Sequence, residues 1–369
     1  MKITLHAVRI GLCALALSVN VAAQAQAPVI TSFSENGVLV CSNLVLGSMA
    51  TVEWASSLSG PWQTNWAGLE AVMVNSNGTI AVSVPMFYRV SLRPSGMALI
   101  PAGSFTMGNS IGDSDFTGAN PTNVYTSAFY MDTNLVSYSQ WLTVYNWATS
   151  HGYGFDNAGA GKAANHPVQT VNWYDVMKWS NARSQQAGLT PVYYTDAGLT
   201  RIYTNGDTDA VYANWTNGAY RLPTEAEWEK AARGGLSGLR FPLGNTISET
   251  QANYLGTNID SYDLGPNGYN AAFTNGVTPY TSPVGYFAPN GYGLYDMAGN
   301  VLEWCWDWYG VPYGQPTTTN PTGPATGSYR MLRGGNWNDY AYYARCAVRY
   351  VNIPNSANSV NGFRCVRGH

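Results

Sequence analysis

The sequence predicts an α+β protein in two parts, a large irregular domain with little regular secondary structure preceded by a small all-β domain. Three observations carry that expectation. Residues from Pro28 to about Arg93 alternate apolar with polar side chains, as in Thr51-Val52-Glu53-Trp54 and Thr79-Ile80-Ala81-Val82-Ser83-Val84, which is the two-residue period of half-buried strands. Beyond them most of the chain is turn sequence rich in Gly, Asn, Pro and Tyr, interrupted by few helical stretches. Between the two, Arg93-Pro94-Ser95-Gly96 has the composition of a boundary.

A chain of 369 residues fits one large and one small unit, since domains run to about 100–200 residues. Its first residues carry Lys2 and Arg9, and Ile10 to Val21 is apolar but short for a bilayer span, the pattern of a secretory signal. Small residues at Ala23 and Ala25 predict cleavage after residue 25, a mature start near Gln26, and a periplasmic, cell-surface or extracellular protein. Residues 26–93 then form the β-sandwich-like accessory domain, with turns at Ser59-Gly60-Pro61 and Asn75-Ser76-Asn77-Gly78 separating its strands. Residues 97–369 form the large domain. Its clearest helix opens at the capping box Thr224-Glu225-Ala226-Glu227 and stops at Gly234, because reciprocal side-chain bonds satisfy the free amides of the first turn. A second helix, Trp173 to Gln186, is expected to pack beside it.

Charged residues make up 11% of the chain and the net charge is −3, with no Lys/Arg run. Nothing therefore supplies the positive face that a phosphate backbone requires, and nucleic acid is not an expected partner. No segment after the signal is apolar enough for a membrane-spanning helix.

The large domain carries an ordered series of segments. They include Ile100-Pro101-Ala102-Gly103-Ser104-Phe105-Thr106-Met107-Gly108, Arg221-Leu222-Pro223-Thr224-Glu225-Ala226-Glu227-Trp228-Glu229, Gly299-Asn300-Val301-Leu302-Glu303-Trp304, Arg333-Gly334-Gly335-Asn336-Trp337 and Gly362-Phe363-Arg364. Together they resemble the formylglycine-generating enzyme, or sulfatase-modifying factor, family. The resemblance implies a C-type-lectin-related fold. In the family's oxidases, two cysteines a few residues after the Arg-Gly-Gly segment hold Cu(I), and oxygen converts a sulfatase cysteine to formylglycine. Paired thiolates suit that soft ion. Here the stretch Asn336 to Arg345 contains no sulfur, so copper is not expected and the catalytic pair is missing. Cys305 and Cys346 could rebuild it only by converging from elsewhere. His151, His166 and His369 are the histidines after the signal, and they lack the spacing of an iron or zinc cluster.

The resemblance also implies calcium. One site maps to the side chains of Asp296 and Glu303 and the carbonyls of Gly299 and Val301, two carboxylates bracketing a glycine turn whose carbonyls point inward, as a hard cation needs. The alternative is that Asp296 caps a turn and Glu303 pairs with an arginine. A second site maps to Asn253, the Tyr254 carbonyl, Asn275 and the Val277 carbonyl, where Asn275 stands in place of an aspartate and removes the formal charge.

After signal removal Cys41, Cys305, Cys346 and Cys365 remain in a compartment where disulfides form. The family partners of Cys346 and Cys365 fall at Ala232 and Ser180, which leaves a direct Cys346–Cys365 bridge or buried free thiols. Trp304, Trp306, Trp308, Tyr309, Trp337, Tyr340, Tyr342 and Tyr343 crowd the region of the family groove, where rings stack on sugars, cover a peptide or fill the core. Two functions from different classes remain: an exported binding module that holds a peptide or glycan, and a formylglycine-generating oxidase acting on sulfatase cysteines.

Overall fold

The computed structural model describes residues 28–33, 38–55, 64, 69–83, 87–115, 119–310 and 318–368. The expected signal segment and the Ser59-Gly60-Pro61 turn lie outside them. The chain divides into two compact units, with the break between Leu92 and Arg93.

In the first unit, β1 (Val29–Phe33), β2 (Val38–Ser42) and β5 (Ile80–Ser83) form one antiparallel sheet with β2 in the centre. A second sheet places β3 (Met49–Ala55) between β4 (Val72–Met73) and β6 (Phe87–Leu92). The alternation in β2 turns Leu39 and Cys41 inward, where they join Ala50, Val52, Val74 and Ile80 in a single core. At the expected turn, Asn75 Oδ1 accepts from the Thr79 N–H at 3.0 Å and Gly78 takes φ +73°, a conformation natural to glycine.

Among its described residues the second unit is built on two four-stranded sheets, one antiparallel and one mixed, and three α-helices. One sheet runs β11 (Tyr220–Arg221), β16 (Val366–Gly368), β10 (Phe129–Asp132), β7 (Met97–Ile100), so the chain's last strand pairs with two early ones. The other runs β14 (Tyr350–Asn352), β13 (Arg330–Arg333), β12 (Leu302–Trp308), β15 (Asn361–Gly362), with β12 and β15 parallel. A separate ribbon pairs β8 (Gly103–Met107) with β9 (Thr122–Thr126).

Helix α3 (Glu225–Ala232) forms as the capping box predicts: Thr224 Oγ1 accepts from the Glu227 N–H at 3.2 Å, and Glu227 Oε2 accepts from the Thr224 N–H at 2.9 Å. Gly234 ends it with φ +59°. Helix α2 spans Trp173–Gln186, but its main helix neighbour is α1 (Tyr138–Thr149) rather than α3. The indoles of Trp141 and Trp179 stack at 5.7 Å, and Trp179 Nε1 donates to the Trp141 carbonyl at 3.1 Å. The expected pairing fails because α2 is buried on nearly every side, and the weakly patterned α1 supplies the apolar cover. Of the tryptophans in β12, Trp304 and Trp308 are buried, so the core takes most of that aromatic run.

Long irregular stretches between α3 and β12 are ordered by side-chain bonds. Asn300, fully buried with φ +66°, is their junction. Its N–H donates to the Asn253 carbonyl at 2.7 Å and its own carbonyl accepts from the Trp337 N–H at 3.0 Å. Its amide bonds the Ser282 backbone in both directions, at 3.0 and 3.2 Å.

Candidate functional site

The Arg-Gly-Gly segment is fixed from beneath. Arg333 at the end of β13 is fully buried, holds Glu229 of α3, and donates to the Cys346 carbonyl at 2.9 Å. Arg233 grips the same Glu229 at 2.7 Å. Gly334 and Gly335 take φ +95° and +71°. A Cβ on Gly335 would lie 2.9 Å from the Tyr343 carbonyl carbon, so the chain folds back here only because that position lacks a side chain.

The fold-back sets Trp337 into a small aromatic cluster. Its ring centroid lies 5.7 Å from Tyr269 and 5.4 Å from Tyr280, and the two tyrosines are 5.1 Å apart edge to face. Trp337 is the buried floor, while Tyr269 is 39% exposed and Tyr280 half-buried. Polar groups border the rings. Tyr269 OH donates to Asn338 Oδ1 at 2.8 Å, and Lys162 Nζ stands 5.6 Å from the Tyr280 centroid while donating to the Phe273 carbonyl at 2.6 Å. Asp339 accepts from Asn336 Nδ2 at 2.5 Å, and burial pushes its carboxyl up to about 7. The sequence pointed to Trp337 and Tyr340, and Tyr340 is exposed nearby. It gave no signal for Tyr269, Tyr280 or Lys162, which distant loops bring in.

Tyr342 is drawn away from that cluster, its ring lying 4.9 Å from the Arg345 guanidinium. Arg345 in turn pairs with Asp115 and Asp113.

All four described cysteines are free and buried. The Cys346–Cys365 bridge is therefore not made, because the two thiols belong to different cores. Cys365 instead faces Ser180 Oγ at 3.6 Å, and Cys346 shares its cluster with Ala232 and Cys305. Burial pushes the Cys365 thiol up to about 11 and the Cys346 thiol to about 12, and raises that of Cys305 well above its ordinary value. Thiols this protonated are poor nucleophiles and poor metal ligands.

Asp296 and Glu303 behave differently from one another. Asp296 sits at φ +54°; its Oδ2 accepts from the Gly285 N–H at 2.7 Å, while Oδ1 is buried with no hydrogen-bond partner. Burial pushes this carboxyl up to about 6, against the opposing pull of the Gly285 N–H and Arg364. It also lines a cavity of about 20 Å³, space for a water-sized group. Glu303 holds Arg364 through both oxygens, at 2.7 and 2.9 Å. Gly299 (φ +74°) is irreplaceable, since a Cβ would lie 2.2 Å from the Asn253 carbonyl oxygen, and Val301 is fully buried. Asp296 Oδ1 is the unbonded carboxylate oxygen of the expected set, whereas Glu303 already has a counterion. Among the described residues no three His, Cys, Asp or Glu side chains converge.

In the second expected set, Asn253 and Tyr254 are buried, and the Asn253 amide donates to the Tyr280 carbonyl at 2.8 Å. Asn275 and Val277 lie on an exposed loop, Val277 being 83% exposed. Of the histidines, His166 Nδ1 bonds Thr281 Oγ1 at 2.9 Å and His151 stacks on Trp147 at 4.0 Å, each in a separate local setting. Among the described residues no helix is long and apolar enough to cross a membrane.

This fold and its Arg-Gly-Gly anchor define a class. A family profile described as the sulfatase-modifying factor enzyme 1-like domain matches residues 86–369. The chain belongs to that family. It is 34% identical over 299 residues to the formylglycine-generating enzyme of Bos taurus, covering 75% of each chain. It is 30% identical over 278 residues to the chaperone protein LppX of Paenibacillus barcinonensis, covering 73% of this chain and 84% of that one. A match to the serine/threonine-protein kinase pkn1 of Chlamydia caviae is 43% identical but covers only 42% of this chain and 22% of the kinase. Among solved structures, Treponema denticola variable protein 1 superposes with a TM-score of 0.56 at 28% identity, covering 78% of this chain and 98% of that one. The C-type-lectin-related architecture expected from the resemblance is thus the fold observed.

Proposed function

We propose that this is an exported, noncatalytic member of the family that uses the Trp337 cluster to bind a peptide or glycan. One observation carries the reading: where the oxidases' thiolate pair would follow the Arg-Gly-Gly segment, Trp337, Tyr269 and Tyr280 gather three rings with polar groups at their edge. Rings with one face packed and one face open are suited to stacking on a ligand. The segment Asn336–Arg345 offers amide, carboxylate and phenol groups but no sulfur, and these hard donors have little preference for Cu(I). The oxidase reading would need Cys305 and Cys346, which are buried and protonated.

Titration of the purified protein against a glycan panel and sulfatase-motif peptides, with mass spectrometry of the peptides after incubation with Cu(I) and oxygen, tests the proposal. Saturable binding that Tyr269→Ala weakens, without aldehyde formation, is the expected result. Copper-dependent conversion of cysteine to formylglycine, lost in Cys305→Ala or Cys346→Ala, overturns it.

A further inference from the structure

Lysine is scarce in this chain: after Lys2 the sequence holds Lys162, Lys178 and Lys230. Lys178 is buried and lies 3.3 Å from Asp175 and 3.7 Å from Asp207. Lys230, also buried, donates to the Gly103 carbonyl at 2.8 Å and to Thr126 Oγ1 at 2.9 Å. Lys162 differs, being half-buried and followed by exposed Ala163, Ala164 and Asn165. Its Nζ donates to the Phe273 carbonyl at 2.6 Å, a bond that occupies one of the three ammonium donors and neutralises no charge. Among the described residues no carboxylate acts on it, and burial alone holds the ammonium below its ordinary range.

This cation borders the Trp337 cluster. It stands 5.6 Å from the Tyr280 centroid, and Tyr280 packs against both Tyr269 and Trp337, at 5.1 and 5.4 Å. The surface continues through Leu255, which is in register with Tyr269 on one side and with exposed Tyr340 on the other. Tyr269, Leu255 and Tyr340 thus form a row about 10 Å across at ordinary strand spacing. The rings of the cluster are not coplanar. Tyr269 meets Tyr280 at 67°, Tyr280 meets Trp337 at 71°, and Tyr269 meets Trp337 at 43°. A pyranose stacks on one flat face, whereas rings set at steep angles receive another ring edge to face.

We propose that the Trp337 cluster takes an acidic peptide segment, seating an aromatic side chain against Tyr269 and Tyr280 and a neighbouring Asp or Glu carboxylate on the Lys162 ammonium. The inference deepens the binding reading given above and rests on it. A bond from the ammonium to a carboxylate is stronger than its present bond to a neutral carbonyl. The same unneutralised charge repels a segment whose aromatic residue is flanked by Lys or Arg, so it selects as well as attracts.

The test is a calorimetric titration of the full mature chain with three capped peptides, Gly-Glu-Tyr-Glu-Gly, Gly-Gln-Tyr-Gln-Gly and Gly-Lys-Tyr-Lys-Gly, and with an oligogalacturonate. The acidic peptide should bind saturably and about fivefold more tightly than the glutamine peptide, the scale of one exposed ion pair, with the lysine peptide weakest. Lys162→Gln should erase the difference between the first two, Lys162→Arg should keep it, and added salt should shrink it. Tyr269→Ala should weaken all three peptides. The arginine variant separates charge from the lost bond to the Phe273 carbonyl. If Lys162→Gln does not fold, the order of the peptides on the unaltered protein, its salt dependence and the Lys162→Arg result decide. Tyr269-dependent binding with equal affinity for the acidic and glutamine peptides, or an acidic preference that survives in folded Lys162→Gln, overturns this inference and leaves the binding role of the cluster standing. Tighter binding of the oligogalacturonate than of the acidic peptide overturns the peptide assignment in the same way. No Tyr269-dependent binding of any of the probes overturns both.

Discussion

Arg364 grips both carboxylate oxygens of Glu303, Nε to Oε2 at 2.7 Å and Nη2 to Oε1 at 2.9 Å, with neither side chain meaningfully exposed. The same guanidinium donates to the Tyr295 carbonyl at 2.9 Å. Loss of one partner strands a buried charge, at a cost of about 3–5 kcal/mol. Arg364→Met is therefore expected to lower stability by that order in denaturant titration, and a double variant with Glu303→Leu should recover much of it.

Asp307 gives a pH dependence. It is fully buried, its Oδ2 accepts from the Glu225 N–H at 2.8 Å, its Oδ1 has no partner, and burial near Glu225 pushes its carboxyl up to about 8. The folded state thus binds a proton that the unfolded chain releases above about pH 4. Stability from this group is fully present at acid pH and declines as pH rises from there through about 8, by up to about 1.4 kcal/mol per pH unit. Asp296 and Asp339, raised to about 6 and 7, act with the same sign. Asp307→Asn should flatten the fall between pH 5 and 8 in melts across that range, about one proton's worth.

Calcium at Asp296 is expected to raise the melting temperature. A ligand that binds only the folded state stabilises it by about 2.7 kcal/mol at a hundredfold excess over Kd. Asp296→Asn removes the charge beside the orphaned oxygen and should abolish the shift. Metal analysis of the purified protein checks it; no bound calcium, together with identical melts in calcium and chelator, would exclude the site.

The cap of α3 offers a local test. Thr224→Ala removes the hydroxyl that accepts from the Glu227 N–H and should cost about 1 kcal/mol. Circular dichroism melts suffice.

Trp337 and Tyr269 should separate stability from binding. Trp337 is the buried floor of its cluster, so Trp337→Ala is expected to cost about 3–5 kcal/mol. Tyr269 is 39% exposed, and Tyr269→Ala should cost under about 1 kcal/mol while weakening the ligand. Calorimetry and a binding titration on both variants distinguish the outcomes.

Features encoded within a few neighbouring residues were legible in the sequence. The capping box located α3 because its signal is local, and the stretch Trp173–Gln186 expected as a helix forms α2. Helix α1 carries no such signal, since only Trp141, Val144 and Ala148 of its residues are buried and its other positions mix Tyr, Ser, Gln, Thr and Asn with Leu142 and Trp147. The cysteine bridge was misjudged because nearness to the C-terminus says nothing of which core a side chain enters: Cys365 faces α2 and Cys346 the β12–β13 side. Tyr269 and Tyr280 reach Trp337 across long separations that no spacing rule records. Glu303 followed the alternative of an arginine partner, with Asp296 left to accept from a backbone amide.

Asn300 ties the segments around Asn253, Ser282 and Trp337 through one buried side chain and its own backbone. Hydrogen exchange at these amides requires the junction to open as a unit, so loop amides there should exchange on the slow timescale of a sheet interior. Loops far apart in sequence thereby become one cooperative element, and an insertion in any of them is felt by the other two.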